Sequence, residues 1–434
     1  MDMQSGHPAR PLNRQDLRTL TLAALGGALE FYDFIIYVFF AVVIGELFFP
    51  AHMPEWLRQL QTFGIFAAGY LARPLGGIIM AHFGDRIGRK RMFTLSIFLM
   101  AVPTLLIGLL PTYQVIGMAA PLLLLLLRIL QGAAIGGEVP GAWVFVAEHV
   151  PARRVGLACG TLTAGLTAGI LLGSLMATAI NRSLSPAEVS DWGWRLAFVL
   201  GGLFGIIAMY LRRWLHETPV FAELQARQAL EAGLPLKRVL CHHKWAVVLS
   251  MLLTWVLSAA IVVVILMAPT YLQKVHAIAP TMALQANSLA VLTLTIGCVT
   301  MGYLVDRLGV GQVLFVGCLL LALGCFSFYH QLAADPASLY WRYALLGFSV
   351  GIVGIVPYVM VNAFPATVRF SGLSFSYNLA YAIFGGLTPM CVTLWVQQDV
   401  LAPSHYVMSL ALLGAAIGIW LCWRPLNVLA RQAQ

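Results

Sequence analysis

Five ionisable side chains stand inside long apolar runs of this 434-residue chain: Glu30, Asp33, Arg73, Arg128 and Glu138. An ionised group at the centre of a membrane span costs about 2.5–3.5 kcal/mol on insertion scales, so it faces a cavity or a partner. Glu30 and Asp33 are three residues apart and, on a helix, share one face with side chains about 5–6 Å apart. Two partly desolvated carboxylates at that distance do not both ionise easily, so one is expected to hold a proton. A carboxylate that gains and loses a proton can couple proton flow; a structural pair with an arginine is the alternative. Arg128 and Glu138 would lie about 15 Å apart along a helix, so each needs a partner elsewhere. Glu138 joins Glu30 and Asp33 as a candidate proton-coupling carboxylate. The planar fork of Arg128 suits a carboxylate, from either a substrate or the Glu30/Asp33 pair. Gln131, Tyr32, Tyr37, Tyr358, Tyr377 and Asn378 are candidates to line a binding cavity by hydrogen bonding, although a contact between helices is the commoner role for any one of them.

These residues need helices long enough to cross a bilayer, and about 20 apolar residues span about 30 Å of hydrocarbon. Twelve runs approach that length: 20–44, 63–80, 93–110, 119–146, 156–180, 194–211, 245–268, 289–305, 313–330, 340–361, 373–396 and 406–423. Sixty per cent of the residues are hydrophobic and ten per cent charged, far from the composition of a soluble domain. The expected class is an all-α polytopic membrane protein with twelve transmembrane helices. The first 17 residues are polar and the first apolar run is a full span, so no cleavable leader is expected. Seven scattered cysteines show neither metal-ligand spacing nor a disulfide framework. No catalytic constellation or phosphate-binding loop emerges, so neither an enzyme, a metal nor a cofactor is expected.

If the first run begins on the inside, 19 of the 26 Lys and Arg fall on that side and four on the other. The positive-inside rule then puts both termini in the cytoplasm. The net charge of +9 lies on these loops and does not point to nucleic acid. Residues 214–244 form the longest cytoplasmic loop and divide two six-span halves, 1–213 and 245–434. The halves look like copies. Gly84-Asp85-Arg86-Ile87-Gly88-Arg89 follows the second run, and Asp306-Arg307-Leu308-Gly309 follows the eighth, 221 residues on. The glycine permits a tight turn while carboxylate and cations hold the interfacial layer. These corner residues are expected to gate, and Arg73, nearer the cytoplasmic end of the second run, to make a structural or gating contact. The stripe Gly165, Gly169, Gly173 reads as helix packing, and Pro357, Pro389 and Gly385-Gly386 as local weak points of their helices.

The repeated corner resembles the signature of the major facilitator superfamily, with Ala81 where the signature opens on glycine; the superfamily's repeat architecture is a known example of the rule applied here. Six further motifs resemble the metabolite:proton symporter family across almost the whole chain: Gly27-Ala-Leu-Glu30-Phe-Tyr32-Asp33-Phe, Arg73-Pro-Leu-Gly-Gly, Arg128-Ile-Leu-Gln131-Gly-Ala-Ala-Ile-Gly-Gly-Glu138, Trp192-Gly-Trp-Arg195, Glu217-Thr-Pro-Val-Phe221 and Phe364-Pro-Ala-Thr-Val-Arg369-Phe-Ser-Gly372. Many relatives carry an acidic residue where this chain has Asn362. The resemblance implies proton-driven import of an organic acid or an osmolyte such as proline or betaine, by a single chain in a bacterial cytoplasmic membrane. Its expected partners are that small molecule, protons and lipids. A drug:proton antiporter and a sugar porter are the rivals; Gly169-Ile-Leu-Leu-Gly173 lacks the proline usual in the former. The family's osmosensing members extend into a C-terminal coiled coil, which is not expected here.

Overall fold

The computed structural model of the chain describes residues 13–87, 89–136, 138–212, 235–332, 336–365 and 368–424. The described residues form helices and no strand. The long helices follow the apolar runs: α1 (Arg14–Phe39), α2 (Glu55–Ile87), α3 (Arg89–Leu109), α4 (Ala119–His149), α5 (Val155–Ser183) and α6 (Trp194–Arg212), then α7 (Lys244–Val275), α8 (Pro280–Leu308), α9 (Val310–Gln331), α10 (Leu339–Ala363), α11 (Arg369–Val396) and α12 (Ala402–Trp423). Ten described helical segments are long and apolar enough to cross a membrane. The runs at 63–80 and 93–110 map onto α2 and α3.

Local chemistry explains where these helices start and stop. Asn13 caps α1 reciprocally: the Asp16 N–H donates to Asn13 Oδ1 at 2.7 Å, and the Asn13 N–H to Asp16 Oδ2 at 3.0 Å. Between α8 and α9 the chain turns at Gly309, whose φ of 90° favours glycine. Three helices depart from regular pitch midway. A wide π-type turn occupies Ala260–Met267 of α7 and Tyr381–Gly385 of α11, and a tight 3₁₀ turn occupies Gly351–Ile355 of α10, just ahead of Pro357. π turns interrupt the regular backbone ladder and often mark functional sites.

Packing repeats six helices apart. α1 packs on α5, α2 on α4 and α3 on α6; correspondingly α7 packs on α11, α8 on α10 and α9 on α12. α5 along α8, and α2 along α11, join the two sets. Glycines set the closest approaches. A Cβ on Gly169 would sit 2.1 Å from Ala28 O, so the glycine stripe of α5 lets α1 lie against its backbone. Leu122, Leu203, Ile206, Leu323, Leu345 and Leu412 are exposed, an apolar girdle that would be a liability in water and is suited to lipid.

Some expected features fall elsewhere. Gly88, residues 214–234 (with Glu217-Thr-Pro-Val-Phe221) and Ala366-Thr367 lie outside the described residues. Gly84, Asp85, Arg86 and Arg89 lie on the helical backbone of α2 and α3.

Candidate functional site

Arg128 is fully buried on α4 and is held within the first six helices. Its Nη1 donates to Phe34 O at 3.0 Å and to Gln131 Oε1 at 2.9 Å. Gln131 Nε2 then donates to Thr104 Oγ1 at 2.7 Å, and Thr104 to Met100 O at 2.8 Å. The result is a hydrogen-bonded chain from α1 through α4 to α3. The guanidinium also lies over the rings of Phe34, Tyr37 and Phe66 at 4.4, 4.7 and 5.5 Å, a cation–π arrangement strengthened by desolvation. Its hydrogen bonds among the described residues do not include Asp33.

Asp33 is 1% exposed. It faces α3 and α6: a Cβ on Gly201 would sit 2.7 Å from Asp33 Oδ1 and 2.9 Å from Thr104 Cγ2, and one on Gly205 would sit 3.2 Å from Asp33 Oδ2. Asp33 Oδ1 has no hydrogen-bond partner among the described residues. Glu30 on α1 and Glu138 on α4 are both 4% exposed. Tyr32 donates its hydroxyl to Ala197 O at 2.9 Å, and Tyr37 donates to Thr62 O at 3.0 Å. Both tyrosine hydroxyls are thus engaged within the first six helices.

Arg73 is where the two sets of helices meet. At 1.5 Å per residue it stands about 21 Å before the end of α2, deeper than a gating position at the cytoplasmic edge. Its guanidinium carbon lies 5.7 Å from the Phe34 ring, 5.0 Å from Tyr70, 5.7 Å from Tyr377 and 5.0 Å from Tyr381. The first two rings come from α1 and α2, the last two from α11. Tyr70 and Tyr381 stack across the junction at 5.1 Å, and Trp143 of α4 meets Tyr377 edge to face at 5.0 Å. Arg73 is completely buried; the Tyr377 hydroxyl lies beside its guanidinium, and none of the three guanidinium nitrogens makes a well-formed hydrogen bond among the described residues. Close helix approach creates this enclosure: a Cβ on Gly136 would sit 2.1 Å from Arg73 O. Asn378 of α11 donates its side-chain amide to Gly136 O. Pro74 withholds one N–H from the ladder of α2 directly after Arg73.

Tyr70, Tyr381, Trp143 and Phe34 did not stand out in the sequence. A usable signal was there in part, because Tyr70 with Arg73, and Tyr377 with Tyr381, have the spacing of one helical face. Tyr358 is half-buried on α10, and its carbonyl accepts from Asn362 Nδ2 at 2.8 Å.

Polar links tie the two sets at both ends. Asp306 accepts from the backbone N–H groups of Gly156 at 2.8 Å and Leu157 at 2.9 Å, across the junction at the start of α5. A carboxylate there satisfies orphan donors and complements the helix dipole. At the same end Arg369 reaches Glu148 at 3.2 Å, and Arg307 lies 5.3 Å from the Tyr303 ring. At the opposite end Lys274 pairs with Glu55. Asp306→Ala leaves two donors unmet, which should cost about 1–3 kcal/mol and lower the thermal unfolding midpoint of the purified protein. An unchanged midpoint would show that the link carries no stability.

A sequence model described as Major Facilitator Superfamily matches residues 23–389. This chain belongs to the Major Facilitator Superfamily. It is 31% identical over 409 residues to a putative proline/betaine transporter of Staphylococcus aureus (strain COL), covering 92% of this chain and 86% of that one. To the glycine betaine/proline/ectoine/pipecolic acid transporter OusA of Dickeya dadantii it is 31% identical over 422 residues, covering 93% and 83%. The proline/betaine transporter of Salmonella typhimurium matches at 31% over 422 residues, covering 93% and 82%. Among solved structures, a D-xylose-proton symporter superposes with a TM-score of 0.72 at 18% identity, over 96% of this chain and 99% of that one. The proton:xylose symporter XylE bound to 6-bromo-6-deoxy-D-glucose gives 0.75 at 17%, over 95% and 96%. These structural likenesses show the fold: an all-α, polytopic architecture.

Proposed function

We propose that this facilitator imports a small zwitterion of the proline and betaine class together with protons, across a bacterial cytoplasmic membrane. It would work as a single chain with both termini inside, in support of which stands the 19-to-4 distribution of cations. The halves 1–213 and 245–434, joined through 214–244, rock about the junction of α2 with α11 and α5 with α8. The names of the relatives support the substrate class. The buried carboxylate of Asp33 carries the coupling reading, because a carboxyl group in that place is stable when protonated and costly when ionised. The chain from Arg128 through Gln131 to Thr104 runs close to Asp33 and ties α4 to the backbone carbonyls of Phe34 on α1 and Met100 on α3. Phe34, next to Asp33, has both guanidinium groups over its ring, which joins the proton site to the junction.

Vesicle uptake tests this. Accumulation of radiolabelled glycine betaine or L-proline should collapse on adding a protonophore and proceed without sodium or ATP. Sodium-dependent accumulation indifferent to the protonophore would sink the proton assignment. A reporter fused after Gln434 should be active only on the cytoplasmic side.

A further inference from the structure

We propose that Arg73 and the rings around it form the substrate subsite: Arg73 receives the carboxylate of the zwitterion, and the faces of Tyr70, Tyr377 and Tyr381 receive its ammonium. This rests on the transport of a zwitterion proposed above and assigns the atoms that would select it. A guanidinium buried with no acceptor but a neighbouring tyrosine hydroxyl is a costly arrangement, and a carboxylate is the ligand that its planar fork matches best. Trp143 brings a second donor to the same cluster, since its Nε1 has no hydrogen-bond partner among the described residues. Two unmet donors beside one cluster of rings point to an anionic acceptor.

The rings supply the other half of the ligand. Four ring centroids lie 5.0–5.7 Å from one guanidinium carbon; aromatic faces of this kind attract a cation that has few or no hydrogen bonds to offer, as a methylated or ring-embedded ammonium does. Here Arg73 itself occupies the place of that cation. On binding, the fork turns to the carboxylate and the ligand's ammonium takes the ring faces. A zwitterion satisfies both exchanges; an anion alone leaves the faces without a cation, and a cation alone meets Arg73 with like charge. The subsite is complete only while α2 lies against α11, because Tyr70 and Tyr381 stack across that junction. Parting the two helices on either side would dismantle the enclosure and release the ligand, so closure and recognition depend on the same contacts. The wide turn at Tyr381–Gly385 lies where α11 would have to give.

Equilibrium binding separates this assignment from the transport reading. Isothermal titration of the purified full chain with glycine betaine, L-proline, choline and benzoate should show binding of the first two and roughly hundredfold weaker binding of choline. Tyr381→Phe keeps a ring face and should bind glycine betaine within about threefold of the parent, whereas Tyr381→Leu should weaken it roughly tenfold to thirtyfold. Arg73→Lys keeps the charge and loses the fork, and should weaken it about tenfold or more. If the parent binds glycine betaine while Arg73→Lys and Tyr381→Leu bind it equally well, the subsite is overturned and the transport reading stands. If benzoate binds as tightly as glycine betaine, the rings serve a flat anion and the zwitterion assignment is wrong. If the parent binds neither zwitterion, both fail together.

Discussion

Asp33→Asn should abolish accumulation against a gradient while leaving exchange of internal for external substrate within about threefold of the parent rate. One proton crossing 100 mV supplies about 2.3 kcal/mol, which corresponds to a gradient of roughly fiftyfold at 1.4 kcal/mol per tenfold. Asparagine is close in shape to a protonated aspartate, so the helices that pack on it need not move. What it cannot do is release a proton, so the driving force is lost without losing the path. Position supports choosing Asp33 over the other carboxylates. It lies at 1% exposure against the glycine face of α6, and no ion pair among the described residues includes it. Parallel assays of counterflow and of uptake under an imposed pH gradient check this. Normal accumulation by Asp33→Asn would move the coupling to Glu30 or Glu138; loss of exchange as well would give Asp33 a structural role.

The spans and the turn of the second corner were legible because each is a local property: apolar length, a glycine at a turn. Gly309 is the clearest case, with its positive φ at the place where Asp-Arg-x-Gly asks for a turn. Residue roles inside the membrane were less legible. Around Asp33, α1 is buried on every side, from Phe31 through Phe39, and such a helix has no polar face from which to read its rotation. Sequence therefore showed that Glu30 and Asp33 were buried carboxylates, but not that Asp33 looks toward α6. The fork of Arg128 asks for an acceptor, from a substrate or from the Glu30/Asp33 pair; in the structure Phe34 O and Gln131 engage its Nη1, while Nε and Nη2 have no hydrogen-bond partner among the described residues. The ring partners of Arg73 on α11, Tyr377 and Tyr381, are about 300 residues away in the chain, and only the pairing of α2 with α11 brings them together, so the sequence shows a structural or gating contact without its partners. Tyr377 and Asn378 were picked out as single polar groups, without a way to see which helices they joined.

Gly132→Ala should destabilise the protein more than any other single-methyl change on α2 or α4, and Gly64→Ala provides the contrast. An alanine at an ordinary helical glycine gains up to about 1 kcal/mol from propensity. At Gly64 the added methyl would meet only the flexible end of Met390, at 3.8 Å, so that gain should survive. At Gly132 the Cβ would sit 1.7 Å from Gly69 O. A backbone carbonyl in a membrane helix cannot rotate aside without giving up its own hydrogen bond, so the two helices must separate. Overpacking of this sort costs about 1–3 kcal/mol where side chains can adjust, and here the obstacle is backbone. The same separation would draw α2, and Arg73 with it, away from α4 one turn further along, where Gly136 meets Arg73 O. The expected pattern in thermal unfolding of purified variants is a raised or unchanged midpoint for Gly64→Ala and a marked fall, with weakened glycine betaine binding, for Gly132→Ala. Equal midpoints would mean that α2 and α4 are not in backbone contact, and the enclosure around Arg73 would lose the approach that forms it.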